Sequence, residues 1–171
     1  MLNKIAIINC KAKKQNYTCL AEKMYDVSFQ FRHQVDFLKE YYGNYLILSS
    51  KYGIVSPDTI IDPYELTLSK GARLKNVPKL EGIKLQNWIL QVKSQLQSLS
   101  TQYDQIDLHI SNAYLGYARH LCKKYPIVDE GNATRVSRGL NFHTQGWVVN
   151  KESLSLLYKT DKGQWRTKRK K

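Results

Sequence analysis

The sequence predicts one α/β domain of three layers, with helices on both faces of a mainly parallel sheet. Three observations predict it. Short β-branched runs alternate with stretches whose apolar residues recur every three or four positions. Each such run ends in polar, reactive residues, as parallel strands do where they meet their loops. The 171 residues, 42% of them hydrophobic, suffice for one ordinary core and are short for two.

The elements follow in order. Lys4 to Asn9 (KIAIIN) reads as the first strand, ending in the polar stretch CKAKKQN. From Leu20 to Tyr41 the positions Leu20, Met24, Val27, Phe31, Val35 and Leu38 lie on one helical face, and Gly43 is the natural stop. Tyr45 to Ser49 (YLILS) is a second buried strand that runs into SKYG. Ser56 to Pro78, with three prolines and Gly71, reads as mostly loop. Leu85 to Leu99 is the clearest helix, its apolar stripe opposed by Gln86, Gln91, Lys93 and Gln97. A third strand fits Ile106 to Ile110, a third helix Ala113 to Lys124, and a short strand falls near Ile127. The domain is expected to span 1–158, with 159–171 a basic, flexible tail.

Charge narrows the partner. The chain carries +13 formal charges and a pI near 9.6, and KTDKGQWRTKRKK at its end holds seven basic residues and one acid. Such a tail neutralises phosphates and releases counterions; Arg166, Lys168, Arg169 and Lys170 are its phosphate contacts, and Trp165 a stacking face. A solubilising terminus is the bland alternative. No run approaches the roughly 20 apolar residues of a bilayer span, and the N-terminus lacks a cleavable leader pattern, so a cytoplasmic protein without a membrane partner is expected. Three cysteines with no CxxC pair predict neither a disulfide framework nor a thiolate zinc site. The four histidines have no HxxxH or HExxH spacing, and no GxxxxGK[ST] or GxGxxG loop occurs. Neither metal nor cofactor is expected.

The block Leu46 to Leu68, LILSSKYGIVSPDTIIDPYELTL, resembles the ILSAKYGLL…PYDLTL signature of small bacterial and phage proteins. It is also similar to the LSGLYGLLRP…QPYRLEM block of YaaA-like DNA-binding proteins. Asn9-Cys10-Lys11, Tyr25, Ser111-Asn112-Ala113-Tyr114 and Arg138-Gly139 match further pieces, so the resemblance covers roughly the first 140 residues. It implies an α/β fold around a positively charged cleft and DNA binding. For relatives linked to defence and modified bases, it also implies cleavage of N-glycosidic bonds. This chain is much shorter than YaaA-like proteins, and the basic tail lies outside the match.

Residue by residue, Ser49, Ser50, Lys51, Tyr52 and Gly53 place hydroxyls, a cation and a flexible turn at a strand end, suited to a phosphate or sugar. Lys51 either attacks C1′ of an abasic sugar or stays charged on a phosphate. Asp62, expected against Lys51, orients water or stabilises an oxocarbenium ion, unless it only initiates a turn before Pro63. Tyr64 fits a base contact or a core position equally, and Asn112 and Tyr114 fit a base edge or a helix cap and core. Lys11 is a phosphate candidate beside a packed Cys10, and Arg135 and Arg138 a clamp on a DNA backbone or a solvated loop. The leading expectation is a DNA glycosylase-type enzyme acting on a flipped, modified base, DNA being preferred to RNA, with a lyase step open to it. A non-catalytic DNA-binding protein of stress protection or phage-host conflict is the alternative, and an inhibitor of an acidic protein a third.

Overall fold

The computed structural model describes residues 3–68, 76–110 and 114, with the backbone of the strand segments 122–126, 145–149, 157–159 and 165–167. Three parallel strands form the centre of the sheet: β1 (Lys4–Asn9), β3 (Tyr45–Ser49) and β8 (Gln105–His109), with β1 in the middle. Between them the chain forms β2 (Cys19–Leu20), α1 (Ala21–Tyr25), α2 (Phe29–Tyr42), β4 (Gly53–Val55), β5 (Ile60–Ile61), β6 (Thr67–Leu68), β7 (Lys79–Leu80) and α3 (Gly82–Gln102). Beyond β8 come β9 (Cys122–Pro126), β10 (Gln145–Val149), β11 (Leu157–Lys159) and β12 (Trp165–Thr167).

The main sheet runs β4-β3-β1-β8-β10-β9, and its margins differ from the parallel expectation. β4 is antiparallel to β3 because only the short turn 50–52 joins them, which permits a hairpin and no crossover. β10 is antiparallel to both β8 and β9. Cys122 to Lys124, expected as the end of a helix, belongs to β9, and the segment's register runs from Cys122 opposite Val149 to Pro126 opposite Gln145. Within the expected tail, Trp165 and Arg166 lie on β12, paired with Lys159 and Tyr158 of β11.

Alternation along the central strands builds two cores. Ile5, Ile7, Leu48, Ile106 and Leu108 turn to one face and meet Trp88, Val92 and Leu96 of α3. Ala6, Ile8, Tyr45 and Ile47 turn to the other and meet Met24 and Tyr25 of α1 and Phe31, Val35 and Leu38 of α2. This is a three-layer α/β arrangement. The single helix expected over 20–41 is two helices. Ser28 caps α2, its Oγ accepting from the Phe31 N–H, and Val27 falls in the break and is exposed. Gly43 ends α2 at φ +75°. Lys93, expected on the solvated face of α3, is only 4% exposed, and burial holds its ammonium at a pKa of about 8. Among the described residues no helix is long and apolar enough to cross a membrane.

β1 to β3 crosses on the α1–α2 face, and the chain then returns over the α3 face to β8 on the other side of β1. In α/β sheets such a reversal is where a crevice forms, outside the carboxyl ends of the parallel strands.

Candidate functional site

The end of β3 supplies the framework of the crevice. Ser49 is wholly buried, and its Oγ accepts the N–H groups of Lys51 and Tyr52 at 3.2 and 3.1 Å, which ties the turn that follows. The same oxygen shares a 2.8 Å hydrogen bond with the Tyr64 hydroxyl, which shares another of 2.9 Å with Tyr25. Trp88 donates Nε1–H to the Ser49 carbonyl, and Ser50 Oγ–H donates to the Leu66 carbonyl. Both serines are therefore consumed internally: they shape the site rather than face a ligand.

Gly53 closes the turn at φ +73°. A Cβ there would stand 2.6 Å from Gln95 Oε1 and 2.8 Å from Gln91 Nε2. Those amides hold the turn: Gln95 accepts from Ile54 N–H and donates to Ile54 C=O, and Gln91 donates to Tyr52 C=O. Gly53 is thus needed for conformation and close approach.

Over this base stand the cations. Lys51 is exposed, its Nζ 4.9 Å from the centre of the Tyr52 ring and 5.9 Å from that of Tyr64. Lys14, from the loop after β1, places its Nζ 4.6 Å from the Tyr64 ring centre. The two rings meet edge to face at 5.6 Å. Just past the end of β1, Cys10 Sγ and the Tyr114 hydroxyl share a 2.9 Å hydrogen bond. Burial pushes the Tyr25, Tyr64 and Tyr114 phenols well up, with Cys10 adding to each, so they serve as neutral hydrogen-bonding groups. Burial lowers the Lys11 pKa, and Cys10 beside it partly offsets that.

Asp62 lies exposed at the rim. Its Oδ1 accepts from Thr18 Oγ1 at 2.6 Å, and its main-chain N–H and C=O both bond the Tyr52 hydroxyl at 3.2 Å. No ion pair within 4.0 Å joins it to Lys51 among the described residues. Tyr52 is what they share, one at its hydroxyl and the other over its ring.

Of the residues singled out in the sequence, Ser49, Ser50, Lys51, Tyr52, Gly53, Tyr64, Tyr114 and Lys11 thus lie at or under the ends of the parallel strands, with Asp62 at the rim. Asn112, Arg135, Arg138, Lys168, Arg169 and Lys170 lie outside the described residues, and Trp165 and Arg166 are described by backbone alone. Lys14, Thr18, Gln91 and Gln95 have roles that sequence reasoning missed, because each acts through a partner distant in sequence. Among the described residues no group of three His, Cys, Asp or Glu is placed to hold a metal ion. The arrangement suits an anion bearing a planar group: ammoniums for the charge and the half-buried Tyr52 ring for the plane.

Fold and crevice together define an α/β protein with a cationic, tyrosine-lined site at its strand ends. The chain belongs to a family of unknown function, DUF6884, whose model matches residues 5–136. Neither the curated proteins nor the solved structures compared with it give a match.

Proposed function

We propose that this protein acts in the cytoplasm on DNA, as a relative of YaaA-like proteins, and hydrolyses the N-glycosidic bond of a nucleotide turned out of the stack into the crevice. The observation that carries the reading is the placement of Lys14 and Lys51 over the rings of Tyr64 and Tyr52 in a chain of +13 charge. Two ammoniums held on aromatic faces suit a sugar-phosphate backbone, and the ring of Tyr52 beside them suits a base. Asp62 at the rim activates water. As the water oxygen bonds to C1′, one of its protons passes to the carboxylate. The C1′–N bond breaks with its electron pair on the base, and that nitrogen then takes up a proton. Lys51 holds the phosphate.

Binding without cleavage is the second reading, favoured by the exposure of Asp62 and by the Thr18 hydroxyl already seated on its Oδ1. Incubation with single- and double-stranded DNA, including phage DNA with modified bases, followed by mass spectrometry for free base, separates the two. Release by the wild type and none by Asp62→Asn is the expected result. Salt-sensitive binding with no release from any DNA establishes the second reading, and absence of salt-sensitive binding removes both.

A further inference from the structure

The β2–β5 ribbon leaves apolar side chains exposed. Leu20 and Ile60 stand opposite each other in its register and are 42% and 70% exposed, while the neighbouring Ile61 is 3% exposed and packs in the core. Tyr17, just ahead of β2, is 55% exposed. Hydrogen bonds brace the ribbon at both ends of its strands: Ala21 N–H donates to Thr59 C=O at 2.8 Å, Glu22 N–H to Pro57 C=O at 2.9 Å, and Thr18 Oγ1–H to Asp62 at 2.6 Å. Ile60 precedes Asp62 by two residues, about 7 Å of extended chain. Asp62 is itself held by the Tyr52 hydroxyl under Lys51.

We propose that this ribbon is a wedge that enters the base stack, Ile60 leading with Leu20 and Tyr17 at its flanks, and fills the gap left by the nucleotide in the crevice. The inference rests on the reading of the crevice as a nucleotide site. A base stack is apolar on its faces and anionic at its edges. The exposed apolar side chains of the ribbon match the faces and the +13 chain the edges, and the Asp62–Tyr52 contact ties the strand of Ile60 to the ring that faces Lys51. Three exposed side chains are too few for a protein interface of about 800 Å² per partner.

The test uses the full chain and a duplex carrying 2-aminopurine, an adenine analogue that brightens when unstacked, next to the bound position, with the same labelled strand alone as reference. The wild type is expected to raise duplex fluorescence. Ile60→Ser loses most of that rise and weakens duplex binding about tenfold. Its single-strand binding stays within about twofold, because no gap has to be opened there. Ile60→Leu retains both properties, and far-UV circular dichroism confirms that each variant is folded. An undiminished rise with Ile60→Ser, or an equal loss on both DNAs, overturns the wedge. Duplex binding by the wild type with no rise overturns the wedge and leaves the crevice reading standing; no binding to either DNA removes both. Sedimentation showing that Ile60→Ser dissolves a dimer assigns the ribbon to a second copy of the chain and likewise overturns the proposal.

Discussion

Gly53→Ala is the most exacting test of how the turn is held, because two penalties meet at one atom. The first is backbone: a residue with a Cβ held at φ +73° costs about 1–2 kcal/mol. The second is packing: the new Cβ would lie 2.6 and 2.8 Å from the Gln95 and Gln91 amides, so both must move. Those amides make hydrogen bonds of 2.7 to 2.9 Å to the main chain of residues 52 and 54. Losing two or three of them costs about 2–3 kcal/mol. The sum, about 3–5 kcal/mol, is a large share of the stability of an ordinary domain. Equilibrium urea unfolding followed by tryptophan fluorescence reads it directly. Repeating the substitution in a Gln91→Ala, Gln95→Ala background removes the obstruction, so the Gly53→Ala step should fall to about 1–2 kcal/mol. The resulting coupling, about 2 kcal/mol, belongs to the clamp. Additivity of the two changes within about 0.5 kcal/mol would refute the reasoning.

Other outcomes follow from the same geometry. Tyr64→Phe removes a hydroxyl set between Ser49 and Tyr25 and should cost about 1–3 kcal/mol, seen as a lower thermal midpoint. Lys14→Ala and Lys51→Ala should each weaken DNA binding and reduce the slope of log affinity against log salt by about one, measured by fluorescence anisotropy. Lys93 gives a pH signature. Burial holds its folded pKa at about 8 against an unfolded value of 10.5, so between those values the unfolded chain binds more protons and stability rises with pH. The gain from this group between pH 7 and 9 should be about 1 kcal/mol by urea unfolding, and Lys93→Met should abolish it.

What the sequence could reveal follows from the range of the interactions. The central strands were legible because both faces are buried, so Ile5, Ala6, Ile7 and Ile8 read as one apolar run whichever core each one enters. The helical stripe of 20–41 was legible too, but its interruption was not. Asp26 and Ser28 can sit on a helix surface or cap one, and tertiary packing decides between these. Lys93 was misplaced because a long side chain at the edge of an apolar stripe reads as solvated, whereas α3 lies close enough to the sheet to cover it. Ser49, Lys51, Tyr52 and Tyr64 fell within one block, so the motif exposed them together. Lys14 over Tyr64 and Gln95 on Ile54 join residues roughly 40 to 50 positions apart, and no local period encodes such pairs.

The buried polar groups of the crevice explain why those cations stand where they do. Ser49, Ser50, Cys10 and Tyr64 are all buried, and each hydroxyl or thiol has a protein partner. Pairing makes such burial tolerable, yet an apolar set of the same shape would be about as stable, so stability alone does not account for it. What the pairs fix is orientation. The bonds from Ser49 and Tyr25 set the Tyr64 ring, whose face carries Lys14 and Lys51, and Ser49 also ties the turn from which Lys51 and Tyr52 project. A flexible lysine loses conformational freedom when it meets an anion, and a ring already in place beneath it lowers that loss. The hydroxyl chain is therefore tied to affinity for an anionic ligand above it, which makes the Tyr25 and Tyr64 hydroxyls part of the binding apparatus without contact to what is bound.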